Sequence, residues 1–423
     1  MYDFLLTKEE LAYRDEVRAF VREEITPDFL RDMDNDEITY PREYVEKLAA
    51  KNLIGARFPK KWGGRGFSWA AEIAALEEIG CLGMALGCAF SMPSIVGEAL
   101  NVFGTDEQKK KYLKPMLEGK LVSAEALTEP RGGSDFFGAT TKAELKGDHF
   151  ILNGQKRFVV GADGADFFLV YCKTNFDPDA HKYSKISLLI VDKGPGVEVE
   201  YQYGLLGCRG GGTGRLVFRD AKVPKENIVG ELHGGAICFN QMMIPERMTS
   251  AGGCLGVWGA LDVALRYSNK RAAFGRLIKK FQAVNFMIAD SITQLDAARG
   301  LAYTAAMAID SDYPNVRRLV SEAKKFTTQT AWNVVNNTMQ VMGGIGYTDV
   351  YPIERALRDI RLSLIWTGTS EIMNLLIQHE YYDEVLNQPY DRRELERDAM
   401  NPDESERIFT DDDMWQVHND AAD

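Results

Sequence analysis

Thr128 and Ser134 bracket a turn of Pro130, Arg131, Gly132 and Gly133, inside the stretch 126–135. Two hydroxyls and several unshielded backbone N–H groups can face one ligand there, and glycine lets flat or anionic groups come close to the backbone. Alone, such a loop reads as an ordinary turn. Three further segments carry chemistry of the same kind. Lys270, Arg271, Phe274, Gly275, Arg276 and Gln282 put cations, a ring and a glycine at a turn between two helices. That composition suits a pyrophosphate, with a solvated helix end as the plain reading. Gln340 is followed by Gly343, Gly344 and Gly346 where a helix closes; a C-cap accounts for one glycine, and three bring the backbone near a ligand. Arg358 and Asp359 precede the run Ile365, Trp366, Thr367, Gly368, Thr369, Ser370, Glu371, Ile372. Thr-x-Glu caps a helix start in its own right, and helix starts also bind anions through free N–H groups.

These segments need elements to hold them. The N-terminal third reads as helices: Thr7 with Glu10 is a capping box, followed by Leu11, Val17, Phe20, Val21 and Ile25 at helical spacing. Residues 70–78 read as helix, and 80–103, rich in small and apolar residues, suits a buried helix. Thr105 with Gln108 is a second capping box, opening a helix through Tyr112 and Met116. From about 121 the period changes. Residues 150–160 read as strand, Asn153-Gly154 turn, strand, a hairpin. Short strands follow at 167–172, 186–191, 197–203 and 215–218, giving a small sandwich or barrel.

From about 236 long helices return. Phe281, Val284, Met287, Ile288, Ile292, Leu295 and Ala298 mark one apolar stripe; Val320, Ala323, Val334, Val335, Met339 and Met342 mark others. Helices, then strands, then helices make an α+β fold with a segregated β-layer. The expected domains are 1–120 helical, 121–235 β, 236–385 helical, and an acidic extension at 386–423. That extension reads as solvated, with Ile408, Phe409, Met414 and Trp415 as anchors that could dock it on a neighbouring surface.

Length and charge bound the partners. The 423 residues fit two or three domains at ~100–200 residues each. A net charge of −12 argues against nucleic acid or an anionic membrane surface. Six cysteines without Cys-x-x-Cys spacing and five histidines without ligand spacing point to free thiols and no metal. Met1 leads straight into polar sequence, with no signal peptide and no apolar run expected to span a bilayer. The expectation is a cytoplasmic protein with no membrane insertion.

Taken together and in this order, the four segments resemble the acyl-CoA dehydrogenase family over roughly residues 1–385. The resemblance implies a helical N-terminal domain, a β-barrel or sandwich domain and a C-terminal four-helix bundle, assembled as a homotetramer built from two dimers. It implies FAD between domains, reaching a second subunit. Leu127, Thr128, Gly133 and Ser134 would contact the flavin and its chain, and Phe158, Val159 and Val160 would line the isoalloxazine face. Arg271, Phe274, Gln282, Gln340 and Gly344 would be donated across the dimer to pyrophosphate and adenine, with Thr369 and Glu371 on the near side. The implied reaction takes a proton from Cα of an acyl-CoA thioester while a hydride leaves Cβ for flavin N5, and the electrons pass on to an electron-transferring flavoprotein.

Many relatives carry the catalytic glutamate just before the Gly-Thr of the late turn, and here that position is Thr367. Isovaleryl- and long-chain-type relatives carry it in a Glu-Arg pair on a bundle helix, and this chain has Glu246 and Arg247 there. Loss at one place and gain at the other are complementary. The plain reading of Glu246 is a first-turn carboxylate on a helix that begins at Pro245. Ser250, Ala251, Gly252, Gly253 and Gly256 are small enough to leave room beside a ligand, and burial beside apolar groups is expected to raise the Glu246 pKa. The resemblance also assigns the Thr367 backbone N–H to the thioester carbonyl, and Ser134 and Arg247 to substrate. Two positions depart from the family pattern: Val160 stands where a hydroxyl usually meets flavin N5, and Ile244 where an Asp often holds pantetheine. The first keeps an oxygen-using alternative open, an acyl-CoA oxidase or monooxygenase; a catalytically silent scaffold is the third reading.

Overall fold

Both capping boxes form, and they set where the helices start. In this computed structural model, which describes residues 3–387, 392–401 and 403, Thr7 begins α1 (Lys8–Glu24) by accepting from the Glu10 N–H at 3.3 Å, while Glu10 accepts from the Thr7 N–H at 2.9 Å. α2 (Pro27–Asp34) and α3 (Arg42–Ala50) follow. Thr105 and Gln108 do the same for the one-turn α6 (Asp106–Gln108), which continues through a π-turn into α7 (Lys114–Leu117). Between them run α4 (Trp69–Gly80) and α5 (Met84–Phe103), buried along most of their length.

The β-region is one eight-stranded sheet. Its strands are β1 (Ser123–Ala126), β2 (Lys142–Lys146), β3 (His149–Val159), β4 (Phe167–Lys173), β5 (Ile186–Asp192), β6 (Val197–Gln202), β7 (Gly214–Pro224) and β8 (Ile228–Val229), in the order β6-β7-β3-β2-β4-β5-β8. β1 lies off that path, parallel to β4. Residues from strands far apart on the path share one core, among them Leu216 and Phe218 of β7 with Leu189 and Val191 of β5, so the sheet folds over on itself. The expected hairpin at 150–160 does not form: the segment is one continuous strand. Gly154 sits at φ 141° where the β3–β7 register shifts, a bulge in place of a turn. A Cβ there would lie 2.7 Å from Thr141, and Asn153 is held across the bulge by two 2.9 Å bonds with Asp220.

Alternation along β4 divides its side chains between two cores. Phe168, Val170 and Cys172 fill the sheet's own core, while Phe167, Leu169 and Tyr171 point into the helical core. β1 pairs in register with β4, so Ala124 and Ala126 face the sheet core and Glu125, opposite Leu169, faces the helices.

The last part comprises α8 (Gly235–Leu255), α9 (Trp258–Ser268), a short hairpin of β9 (Ala272–Ala273) and β10 (Arg276–Leu277), α10 (Gln282–Asp310), α11 (Val316–Met342), α12 (Ile353–Ser363) and α13 (Ser370–Leu386). Leu295 and Ala298 of α10 and Val320, Ala323, Val334 and Val335 of α11 are buried as their stripes require, but Ile292 and Phe286 at the start of α10 stay exposed. Asp359 of α12 joins the layers, accepting from the Met84 N–H at 3.0 Å and the Cys208 N–H at 2.7 Å.

Two helical runs, Met84–Phe103 and Gly235–Ser268, reach the length and mean hydropathy (1.3 and 1.2) of a bilayer span, contrary to the expectation from sequence; 67% of each window is buried inside the protein, as in core helices. Residues to Glu380 form one compact unit and those from Tyr381 a second, of which the end of α13 and a turn at Leu395–Asp398 are among the described residues. Ile408, Phe409, Met414 and Trp415 lie outside them.

Candidate active site

The loop after β1 is fastened from below. Lys156 of β3, fully enclosed, donates to the Glu129 carboxylate at 2.9 Å and the Leu127 carbonyl at 3.0 Å. Glu129 also accepts from the Thr140 hydroxyl at 2.6 Å and the Thr141 N–H at 2.9 Å. The Arg157 N–H donates to the Thr128 carbonyl at 2.8 Å, laying the loop against the end of β3. Gly133 packs on the Thr128 side chain, a Cβ falling 3.3 Å from its hydroxyl, whereas Gly132 opens onto free space and Ser134 is exposed. Phe158, in the left-handed region at φ 55°, turns an exposed ring against Tyr203, centroids 4.8 Å apart. Thr128, Gly133 and Ser134 thus form a ledge that the Arg157 bond sets beside Phe158, with half-buried Leu127 and Val160 as their chain neighbours. Val159 does not join them by its side chain, which is 1% exposed inside the sheet core; strand alternation leaves only its backbone for a ligand.

Glu246 is 8% exposed and sits in the middle of α8. The first-turn reading is therefore wrong: Pro245 lies within the helix, where it lacks the N–H that would bond the Gln241 carbonyl. Gly252 and Gly256 do not leave room for a ligand either. A Cβ on Gly252 would meet Leu76 at 2.9 Å, and one on Gly256 the Gly80 backbone at 2.2 Å, so they serve the close crossing of α8 and α4. Ser250 is also committed, accepting from the Trp366 indole N–H at 3.0 Å. Arg247 is buried against α11, its Nη1 donating to the Ser321 hydroxyl at 3.1 Å and its Nε without partner. Burial pulls its pKa down to about 10, helped by the neighbouring Arg317. Among the described residues its one side-chain hydrogen bond runs to a helix.

The turn from Trp366 to Thr369 is held at both sides, by Trp366 on α8 and by Lys324 of α11, whose ammonium donates to the Gly368 carbonyl at 2.6 Å. Burial brings Lys324 down to about 8. Thr367 adopts φ 49° and Gly368 φ 84°; for a β-branched residue the left-handed region is strained. No hydrogen bond is made by the Thr367 N–H among the described residues, and its buried hydroxyl and that of Ser370 have no partner. A strained turn with a free N–H is what a ligand carbonyl would complete. Thr369 caps α13, accepting from the Ile372 N–H at 3.2 Å. Glu371 is exposed on the first turn, its carboxylate held below the ordinary range by its own backbone N–H and the Thr369 hydroxyl.

A residue not singled out from sequence completes this centre. Glu125, in register with Leu169 two residues from Tyr171, lies near enough to feel both Glu246 and the Tyr171 hydroxyl; burial, then the charge of Glu246, pushes its pKa well up. Glu125 Oε1 and the Tyr171 hydroxyl are both enclosed without a hydrogen-bond partner. The signal was present: a lone acid among Ser123, Ala124 and Ala126, at a strand position whose alternation points it into an apolar core.

The remaining residues share a separate corner. Phe274, 94% exposed at φ 50°, and Gly275, at φ 74°, form the tip of the β9–β10 hairpin, with Arg271 exposed beside it. Phe281 next to Gln282 packs near Phe274 at 6.1 Å, and an apolar cluster joins this corner to the end of α11, where Gln340 and Gly344 are exposed. Cβ atoms on Gly275, Gly343 and Gly344 would meet nothing within 4 Å. Open glycines, an exposed ring and an exposed arginine fit an extended anionic ligand at this corner. A cleft of about 460 Å³ lined by Arg14, Glu77, Trp258 and Arg299 shares no residue with either group.

Three family models match the chain: acyl-CoA dehydrogenase N-terminal domain over 7–120, middle domain over 124–221 and C-terminal domain over 233–381. A 3-(aryl)acrylate reductase of Clostridium sporogenes is 38% identical over 378 residues, covering 88% of this chain and 98% of that protein. The caffeyl-CoA reductase–Etf complex subunit CarC of Acetobacterium woodii is 36% identical over 366 residues, covering 85% and 94%. The butyryl-CoA dehydrogenase structure from Megasphaera elsdenii superposes with a TM-score of 0.84 at 30% identity, covering 89% of this chain and 98% of that one.

Proposed function

Since this chain belongs to the acyl-CoA dehydrogenase family, an FAD-dependent family of oxidoreductases acting on acyl-CoA, we propose that it catalyses α,β-dehydrogenation of an acyl-CoA thioester to the trans-2-enoyl-CoA, with Glu246 as the base. The observation that carries this reading is the Trp366–Ser250 bond. It ties the turn bearing the free Thr367 N–H to α8 one helical turn beyond Glu246. A proton acceptor and an enolate-stabilising donor are thereby held in fixed relation.

FAD, when bound, supplies the acceptor for the β-hydride. Leu127, Thr128, Gly133, Ser134, Phe158 and Val160 would hold its reactive end, Thr369 and Glu371 its near side, and Arg271, Phe274, Gln282, Gln340 and Gly344 of a second subunit its pyrophosphate and adenine. Glu246 accepts the α-proton at its carboxylate. The Thr367 N–H donates to the thioester oxygen, and the charge that develops there strengthens the bond as Cα loses its proton. The enclosed walls around Glu246 keep water from competing for it.

Electron transfer to an electron-transferring flavoprotein, a homotetramer and a cytoplasmic setting belong to the same reading. The Etf in the name of the Acetobacterium relative supports the first, the uncovered Phe274 the second and the six free cysteines the third. The arylacrylate and caffeyl names of two relatives make aryl-bearing acyl groups good first substrates, with reduction of the enoyl thioester as the reverse of the same step. The oxygen-using alternative rests on Val160, which brings no hydroxyl to the ledge.

Anaerobic flavin bleaching by a panel of acyl-CoAs tests the proposal. Glu246→Gln keeps the shape and removes the basicity, so the variant is expected to retain FAD and bleach ~10³-fold more slowly, within the range for a general base. Equal bleaching by wild type and variant would remove Glu246 from the mechanism. Fast reoxidation of bleached enzyme in air would favour the oxygen-using reading.

A further inference from the structure

Resting on that reading of Glu246, we infer that the acyl pocket is built for an acyl chain carrying a hydrogen-bond donor, a hydroxyl or a protonated amine, received by Glu125 and Tyr171 beside the reacting carbons. Glu125 occupies a strand position where alternation calls for an apolar side chain. Its register partner Leu169 and the flanking Phe167 and Tyr171 all enter the helical core, while Ala124 and Ala126 go the other way. A carboxyl at such a place costs free energy unless something satisfies it.

Among the described residues, none is hydrogen-bonded to its enclosed oxygen. Glu125 Oε1 is enclosed and unpartnered, and so is the hydroxyl of Tyr171, a residue with 0% exposure. The titratable groups felt at Glu125 are Glu246, Lys156 and Tyr171. Lys156 is the one cation among them, and it is bound to Glu129 and the Leu127 carbonyl. Tyr171 cannot turn away to find another partner. Its ring packs edge-on against a stacked pair, Phe136 at 5.0 Å and 89° and Phe239 at 6.1 Å and 83°, whose own centroids lie 4.0 Å apart.

The chemistry of the missing partner follows. Where Glu125 is ionised it only accepts, and where it holds a proton its neighbour Glu246 is the acceptor for it; either way the free oxygen is left to accept. The ligand must therefore donate. A hydroxyl would donate to Glu125 and accept from Tyr171, while an amine would donate to both oxygens. Because Glu125 lies near enough to feel the Glu246 charge, and Glu246 must reach Cα, the donor belongs on the acyl group rather than on the CoA portion.

The test uses FAD-loaded enzyme and matched thioesters: valeryl-, 5-hydroxyvaleryl- and 5-aminovaleryl-CoA, and 3-phenylpropionyl- against 3-(4-hydroxyphenyl)propionyl-CoA. The donor-bearing member of at least one set is expected to bleach the flavin with at least 10-fold higher kcat/KM than its unsubstituted partner, and Glu125→Leu to reverse that preference. Preference for the 5-hydroxy or the 5-amino compound separates the two donors. Glu125→Gln, which keeps shape and an accepting oxygen, should retain discrimination for the hydroxyl. Calorimetric binding to Glu246→Gln enzyme, which does not turn over, should show the same ranking. Bleaching by every unsubstituted thioester at least as fast as by its partner, with no change of ratio in Glu125→Leu, overturns the inference and leaves the dehydrogenase reading standing. Failure of every thioester to bleach wild type would sink that reading, and this inference with it.

Discussion

Two glutamates four residues apart, Glu129 buried and Glu125 half-buried with one oxygen enclosed, solve the problem of a carboxyl in a protein interior in opposite ways. Glu129 has an ammonium at 2.9 Å and three donors from Thr140 and Thr141. Burial pushes its pKa up, but Lys156 and Thr140 outweigh that and hold the carboxyl down at about 2. The same burial draws Lys156 below its ordinary range. With a carboxylate and a carbonyl within 3.0 Å, we treat the pair as ionised. Glu125 instead faces a second carboxyl and an unpartnered phenol, and burial followed by Glu246 pushes it well up. A buried charge whose valences are all met belongs to the scaffold. One whose valences are unmet beside a candidate base is reserved for something that arrives later.

Breaking the satisfied side gives the largest effect. Lys156→Met leaves the Glu129 carboxylate enclosed without its cation, and loss of one partner from a buried pair costs about 3–5 kcal/mol. Urea unfolding of the FAD-free protein should register that loss, with release of the 127–134 loop weakening FAD retention. The unsatisfied side should respond with the other sign. Glu125→Leu removes an unpartnered carboxyl from an apolar position, and a gain of up to about 2 kcal/mol is expected in the same measurement. Two losses of similar size would mean that Glu125 is as structural as Glu129.

Much of this architecture was legible in the chain. Thr7 and Thr105 announce their helices because a capping box is local, and the strands at 167–172 and 186–191 declare themselves by short, almost unbroken apolar runs. What stayed hidden is relational. Asn153-Gly154 signals a turn or a bulge alike, and the choice depends on Thr141 and Asp220 lying across from it. Pro245 reads as a helix start, because nothing local reveals the ten residues of helix already formed before it. Gly252 and Gly256 look like room for a ligand until Gly80 and Leu76 are brought against them. Val159 is turned from the ledge by strand alternation. Glu125 became meaningful only when the fold set Glu246 and Tyr171 beside it.

The pH dependence sharpens the contrast at smaller amplitude. The Glu129 carboxyl is depressed below the ordinary value of ~4.3, so its contribution to stability is present above that value and is lost as pH falls toward about 2. Glu125 is raised, so the folded state keeps its proton longer than the unfolded chain does. Its contribution is complete below ~4.3 and is lost as pH rises through the raised pKa. Melting temperatures against pH should therefore diverge in opposite directions. The deficit of Glu129→Gln should shrink toward pH 3, and the advantage of Glu125→Gln should grow from pH 4 upward. Parallel curves for the two variants would erase the distinction.

The smallest effect is the most specific. Tyr171→Phe keeps the ring packed edge-on against the Phe136–Phe239 stack and removes a hydroxyl that has no hydrogen-bond partner among the described residues. No protein hydrogen bond is lost, so stability should change by less than about 1 kcal/mol, toward a gain. Affinity for a donor-bearing acyl thioester should fall several-fold, while that for its unsubstituted partner stays the same, since only the former needs the phenol to complete its hydrogen bonds. Stability and affinity thus separate at one oxygen atom. A loss of stability above about 2 kcal/mol would instead give that hydroxyl a partner within the folded chain, and the contrast with Glu129 would narrow to Glu125 alone.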